Sequence, residues 1–187
     1  FWETVLITDF VKHGSNLFQG TEHVWFGYPT KGTHLGGLGH VSIDGIFYNG
    51  YKMTDVFDAN GIKMFGVENF KPILTRGVLI DAVAQKGHLL EAGEGVTVAD
   101  VESFLKKNNL EVRPGDAVLI RTGWHRHLTD GEYVGPEPGI TKDLAKWLYD
   151  KRVVVVGTDN WATEQIPGDD PNEVMPVQQL LATKYGI

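Results

Sequence analysis

The chain has 187 residues, of which 42% are hydrophobic, and it carries a formal net charge of −7 at pH 7. This length and apolar content are sufficient for the buried core of one domain. The acidic balance, with no cluster of Lys and Arg, argues against nucleic acid or an anionic membrane surface as a partner. Because the chain has no cysteine, it has no disulfide and no thiolate catalyst or ligand, and we expect a cytoplasmic protein. No apolar run approaches the roughly 20 residues of a membrane span.

The N-terminal third predicts short strands and long ordered loops, since residues 1–69 are rich in aromatic residues and glycine and show weak periodicity. Within it, residues 32–40 hold two histidines, His34 and His40, among four glycines. Neither helical nor strand periodicity explains this spacing. Glycine allows close approach of the backbone to a ligand, so this loop is interpreted as a site. The alternative is that both histidines are structural and bond to nearby backbone.

The rest of the chain alternates between predicted strands and predicted helices. Apolar runs predict buried strands over 77–83, 117–122 and 152–156. Helices are predicted after the N-caps Thr97 and Thr141, and a third begins at Pro176 and ends at Gly186. This alternation is typical of an α/β fold with a parallel or mixed sheet. Ligands of such sheets bind beyond the carboxyl ends of the strands, here near residues 122–125 and 158–161.

Four segments together resemble the kynurenine formamidase and cyclase family of metal-dependent hydrolases. They are the histidine loop 32–40, its extension 41–50, the turn and strand 113–124, and the strand end 156–161 followed by Pro176. The resemblance covers most of the chain from about Tyr28 onward, and its specificity comes from the combination of segments.

The resemblance implies a single cyclase-like domain over 1–187, with the family's swivelling β/β/α fold and a mixed sheet. By this comparison the chain lacks N- and C-terminal segments of the family. The implied chemistry is hydrolysis of a small amide, formamide or lactone bond, as in the arylformamidase of tryptophan catabolism. The family uses water activated by a divalent metal, zinc or manganese. Family members are commonly oligomers, so we expect a homo-oligomer.

Most functional positions of the family motif are altered in this chain. His34 matches a ligand histidine, and His40 matches the histidine usually assigned as acid/base. The first ligand histidine falls on Thr30, the bridging aspartate on Gly36 and a later histidine on Gln178. The resemblance therefore implies catalytic roles for His40 and His34, with a metal that is either weakly held or absent.

Other side chains are candidates for completing the site. A rearranged metal site would use His34, Asp159 and Glu164; Asp44, His125 and His127 are further candidates. For Asp159 the alternative is a cap of a nearby turn, and for His125 and His127 it is an exposed loop.

Four residues are predicted to contact a small-molecule substrate: Tyr48, Trp124, Trp161 and Gln178. Aromatic walls are usual in such sites, and the glutamine amide is suited to positioning a water or a carbonyl. The alternative for the two tryptophans is that they cover the core at strand ends.

Three functions remain open from the sequence. The first is the arylformamidase-like hydrolase. The second is a metal-poor relative that performs isomerisation, dehydration or cyclisation by acid/base chemistry alone. The third is a pocket that binds a ligand without turnover.

Overall fold

The computed structural model describes residues 17–19, 32–129 and 131–187. Thr30, the predicted counterpart of a ligand histidine, lies outside these residues. The chain divides into two compact units. The first contains residues up to Pro72 together with Gln178–Gly186, and the second contains Ile73–Val177 and Ile187. The expectation of a single domain stays a prediction.

The first unit is built from short elements, as its weak periodicity predicts. Strands β1 (Leu17–Gln19) and β2 (Val41–Ile43) pair antiparallel, as do β3 (Phe57–Asp58) and β4 (Gly61–Ile62). The helical segments are α1 (Met53–Val56), two 3₁₀ turns (Tyr48–Gly50 and Val67–Asn69), and a π-helix (Gln179–Tyr185). The buried side chains include Val41, Phe47 and Val56, and the Phe47 ring packs on Phe57 at 5.6 Å between centroids.

The second unit contains a three-stranded parallel sheet in the order β5 (Gly77–Asp81), β7 (Ala117–Arg121), β9 (Val155–Thr158). A smaller parallel pair is formed by β6 (Gly95–Val96) and β8 (Gly139–Ile140). The helices α2 (Ala82–Lys86), α3 (Val98–Lys107) and α4 (Lys142–Asp150) belong to this unit. Helix α5 (Pro176–Gln178) begins in it and ends at Gln178, the first residue of the C-terminal part of the other unit. The α/β expectation, with parallel and antiparallel pairing, is confirmed.

Alternation along β5 and β7 separates a buried face from an exposed one. Val78 and Ile80 on β5, and Val118 and Ile120 on β7, are buried. Helices α3 and α4 bury the apolar positions that their periodicity predicts, among them Leu105 and Leu148. Both helices begin at the predicted caps, where the Thr97 and Thr141 hydroxyls accept hydrogen bonds from backbone N–H groups.

The predicted strand end at 83 and the predicted strand start at 152 are wrong, and each error has a local cause. Residues 82 and 83 belong to α2, because the Asp81 carboxylate accepts the Ala84 N–H at 2.9 Å and starts a helix there. Strand β9 begins at Val155 and not at 152, because Arg152 adopts a positive φ of 58°. The predicted helix from Pro176 to Gly186 is present, but most of it is the π-helix.

Candidate functional site

The histidine loop (residues 32–40) lies in the first unit and leads directly into β2. His40 donates its backbone N–H to the Gly37 carbonyl at 2.9 Å, which closes a turn. His34 is exposed, and its Nδ1 lies 2.7 Å from the Gly32 carbonyl oxygen. A Cβ at Gly39 would clash with Ile62. A side chain at position 39 would therefore have to displace the end of the Ile62 side chain.

Gly36 determines how much room surrounds the His40 imidazole. A Cβ built at Gly36 would have His40 Cδ2 as its neighbour, at 4.0 Å. The position at which the family motif has an aspartate therefore faces His40, and here it contributes no side chain.

Two buried side chains of the π-helix hold the strand that follows His40. The Thr183 hydroxyl donates to the Val41 carbonyl at 3.0 Å, and the Gln179 amide donates to the Ser42 carbonyl at 3.1 Å. π-helical segments are rare and frequently lie at functional sites. These contacts fix the backbone immediately after His40. Sequence analysis missed both residues, since neither belongs to the motif.

The first unit also contains two of the four predicted substrate contacts. Tyr48 lies in a 3₁₀ turn, and its ring is close to Gly186, where an added Cβ would lie 2.6 Å from Tyr48 Cζ. Gln178 ends α5 and is half-buried. The substrate roles of both residues stay predictions.

The carboxyl edge of the parallel sheet lies in the second unit, and Asp159 is its central group. The Asp159 carboxylate accepts hydrogen bonds from Thr122 N–H at 2.6 Å, the Thr122 hydroxyl at 2.7 Å and Gly123 N–H at 2.8 Å. Its fourth partner is His125, whose Nδ1 lies 3.0 Å from Oδ2. Burial raises the pKa of the Asp159 carboxyl, but these hydrogen bonds outweigh burial and the pKa lies below its usual value. Asp159 thus joins the ends of β7 and β9.

Gly123 makes this turn possible. Its φ is +82°, a left-handed conformation, and a Cβ there would lie 2.6 Å from Leu89 Cδ2. The chain reverses at Gly123 into the 3₁₀ turn Trp124–His127, which places His125 next to Asp159. The sequence indicated polar residues at this edge, but nothing in it paired His125 with Asp159.

The two predicted tryptophan contacts also lie in the second unit. Trp124 is only 4% exposed, its indole N–H donates to the Tyr133 carbonyl, and Arg126 lies over its ring. This burial favours the alternative in which Trp124 covers the core. Trp161 is half-buried and donates its backbone N–H to Glu137. Substrate contact by either residue stays a prediction.

Glu137 is a buried carboxylate that sequence analysis missed. Its side chain accepts hydrogen bonds from the backbone N–H groups of Trp161 and Ala162 and from the Asn160 amide. Burial raises the pKa of Glu137 to about 7, the three hydrogen bonds act to lower it, and the nearby charge of Glu164 raises it. Glu137 therefore holds the segment that follows Asp159. It forms an isolated antiparallel β-bridge with Ile166 and lies outside any run of hydrophobic periodicity, so no sequence pattern identified it.

The described residues do not offer the ligands that a hydrolytic metal centre needs. Among residues 32–129 and 131–187, no three His, Asp or Glu side chains form a group suited to a metal ion. Catalytic zinc sites normally use three protein ligands. The Asp159 oxygens already accept four hydrogen bonds, and Glu164 is buried with one oxygen accepting the Val177 N–H at 3.1 Å. The metal set of His34, Asp159 and Glu164 stays a prediction, and we derive no step through a metal.

The chain is similar to known proteins both in sequence and in fold. The Cyclase family profile matches residues 5–165, which is most of the chain, and the chain therefore belongs to the cyclase family. A crystal structure described as a novel cyclase is 33% identical, with a TM-score of 0.71, over 81% of this chain and 51% of that one. The predicted cyclase-like fold is confirmed. No curated protein matches the chain.

Two isatin hydrolase structures share the fold at lower identity. Isatin hydrolase A from Ralstonia solanacearum is 22% identical, with a TM-score of 0.50, over 63% of this chain and 48% of that one. The enzyme from Labrenzia aggregata, bound to benzyl benzoate, is 22% identical, with a TM-score of 0.51, over 66% and 49%. The chain spans about half of the length of the solved structures that it matches. In the described part of the chain, no helix is both long and apolar enough to cross a bilayer.

Proposed function

We propose that this chain belongs to a hydrolase that cleaves a small amide, formamide or lactone bond, with His40 as the acid/base group. The observation that carries this proposal is the fixed backbone after His40, where Thr183 and Gln179 hold two successive carbonyls of β2. Catalysis gains from groups whose geometry is set before the substrate binds. A histidine that served only as a flexible surface residue would not need this support.

The proposed role of His40 is proton transfer during attack of water on a carbonyl carbon. The imidazole accepts a proton from the water as the C–O bond forms, and it returns a proton to the leaving nitrogen or oxygen as the acyl bond breaks. Gly36 contributes no side chain beside this imidazole, since a Cβ added there would lie 4.0 Å from His40 Cδ2. His34 is a second imidazole in the same loop, and we propose that it contacts the substrate carbonyl.

Aryl formamides are the first substrates to assay, since the sequence resembles the kynurenine formamidase branch. Isatin, the compound in the names of two neighbours in fold, is the second, because it holds an amide bond in a ring. We propose that Tyr48 and Gln178, which lie in the same unit as His40, contact the substrate. Trp161 stays a predicted contact, and the burial of Trp124 favours its role in covering the core. We further propose that the protein is cytoplasmic and forms a homo-oligomer. Light scattering of the purified chain tests the oligomeric state.

The decisive experiment measures hydrolysis of N-formylkynurenine and of isatin by the wild-type chain, before and after chelation and addition of zinc or manganese. We expect turnover that His40→Ala lowers by at least about 100-fold, the usual scale for losing a general base. His88→Ala is the matched control, since His88 is an exposed histidine paired with Glu94 outside the loop. Turnover that survives in His40→Ala would show that His40 is not the acid/base group.

The second candidate function is ligand binding without hydrolysis, or acid/base isomerisation, dehydration or cyclisation. Gly36 favours it, because the chain lacks the carboxylate side chain that faces this histidine in the family motif. Calorimetry with the same compounds separates the candidates. Saturable binding with no product supports a binding protein, and formation of a product with unchanged mass supports isomerisation.

A further inference from the structure

His125 and Asp159 form a second arrangement that the proposed function does not use. Asp159 follows β9, and His125 follows β7, so both lie at the carboxyl edge of the parallel sheet where ligands of α/β sheets bind. The His125 side chain is 60% exposed, whereas its carboxylate partner is largely covered. The exposed imidazole of His125 is therefore held by the largely covered carboxylate of Asp159.

The hydrogen bonds of Asp159 determine which nitrogen of His125 carries the proton. Three donors other than His125 already point at the carboxylate, and they keep it ionised. An ionised carboxylate only accepts hydrogen bonds, so Nδ1 of His125 must be the donor. In the neutral imidazole Nε2 then carries the lone pair. Within the described residues, Nε2 has no hydrogen-bond partner.

His88 shows that this arrangement is specific. Its side chain is 54% exposed and also lies beside a carboxylate, that of Glu94. However, His88 uses both nitrogens: Nε2 lies 3.1 Å from the Glu94 oxygens, and Nδ1 lies 3.2 Å from the Lys86 carbonyl oxygen. Both ring nitrogens of His88 therefore already face acceptor oxygens of the protein, although its exposure is similar.

We infer that His125 is the general base of a second reactive site, which acts on small acyl esters at the carboxyl edge of the sheet, with Asp159 as its positioning residue. Nε2 accepts a proton from a water molecule whose oxygen bonds to the acyl carbon. The C–O bond to the leaving alcohol then breaks, and Nε2 returns the proton to the leaving oxygen. The products are the carboxylic acid and the alcohol, and no co-reactant other than water is needed.

The test combines a structural and a kinetic readout on the full chain. Nitrogen-15 NMR of the imidazoles, assigned with His125→Ala, is expected to show His125 as the Nδ1–H tautomer. Asp159→Asn should shift that tautomer toward Nε2–H, because an amide N–H placed beside Nδ1 requires an acceptor. Hydrolysis of 4-nitrophenyl acetate at fixed pH should fall at least about tenfold in His125→Ala, toward the low end expected of a general base. It should change less than twofold in His88→Ala.

The outcomes separate this inference from the proposed function. His40→Ala is expected to lose amide hydrolysis and to retain ester hydrolysis, whereas His125→Ala should show the reverse. An Nε2–H tautomer of His125 in the wild-type chain, or equal ester hydrolysis in His125→Ala and His88→Ala, would overturn the inference. If Asp159→Asn does not fold, the wild-type tautomer and the His125→Ala rate still decide.

Discussion

The histidine loop and the carboxyl edge of the sheet present histidines in opposite ways. The loop is visible as a sequence motif, yet glycine occupies position 36, where a carboxylate side chain would face His40. The edge shows no motif, yet His125 has a carboxylate partner that accepts three further hydrogen bonds. In the loop the contacts of Thr183 and Gln179 fix the backbone after His40. At the edge the side-chain partner itself is fixed.

This contrast shows that a sequence motif and the structural support of a side chain are independent of each other. Residues 32–40 show where members of the family have their site, whether or not this chain keeps the family's ligand residues. The chemical state of an imidazole depends on the groups that touch it. His125 and the carboxylate that contacts it, Asp159, are 34 positions apart in the sequence. Four variants test whether the two regions differ as described.

The largest effect is expected for Asp159→Ala. The substitution leaves the backbone N–H groups of Thr122 and Gly123 without their acceptor, and each unpaired buried donor costs about 1–3 kcal/mol. The free energy of unfolding should therefore fall by about 3–5 kcal/mol, measured by urea denaturation. Asp150→Ala is the control, since Asp150 is exposed on α4 and forms a surface ion pair with Lys146. A loss no larger than that of the control would contradict the central role of Asp159.

The second effect is a pH dependence of stability that arises from Glu137. Its pKa of about 7 lies above the usual 4.5, so between these values the folded chain binds more protons than the unfolded chain. The Glu137 contribution to stability is therefore largest below about pH 4.5, falls as pH rises, and is fully lost above about pH 7. The change amounts to about 3 kcal/mol.

Denaturation of wild type and Glu137→Gln across this pH range measures the effect. The variant should be less stable at every pH, because an amide N–H replaces one of the oxygens that face the N–H groups of Trp161 and Ala162. The difference between the two proteins should shrink as pH rises. Parallel curves would show that Glu137 does not titrate in this range.

A smaller effect is expected for Thr183→Val, which tests the support of the histidine loop. The change keeps the shape of the buried side chain but leaves the Val41 carbonyl without its donor, at a cost of about 1–2 kcal/mol. Any hydrolysis that depends on His40 should fall as well, and mainly in kcat. Thr183→Ser should restore both, since it retains the hydroxyl. Ester hydrolysis at His125 should stay unchanged in both variants.

The smallest effect on stability is expected for Gly36→Asp, because Gly36 is exposed and a Cβ there meets no atom of the described residues closer than 4.0 Å. Stability should change by less than about 0.5 kcal/mol, as for an ordinary surface substitution. Zinc and manganese affinity, measured by calorimetry, should rise if the loop retains the geometry of the family site. Gly36→Asn is the control without charge. Equal affinity of both variants would show that the loop has been rebuilt.

Much of the fold was predictable because its signals are local. The caps Thr97 and Thr141, the apolar faces of α3 and α4, and the runs that became β5 and β7 all depend on residues within one or two turns of each other. The errors arose where one residue changed a boundary: Asp81 starts α2 within a predicted strand, and the positive φ of Arg152 delays β9.

The amino-acid sequence alone determined the α/β class, the cyclase family and the position of the histidine loop, because periodicity, capping and motif spacing are written along the chain. Only the tertiary structure decided which groups act together. Thr183 and Gln179 reach β2 across more than 130 residues, Glu137 holds the segment after Asp159, and Asp159 orients His125. Hydrogen bonds between distant residues follow from the packing of elements and leave no periodic trace in the sequence.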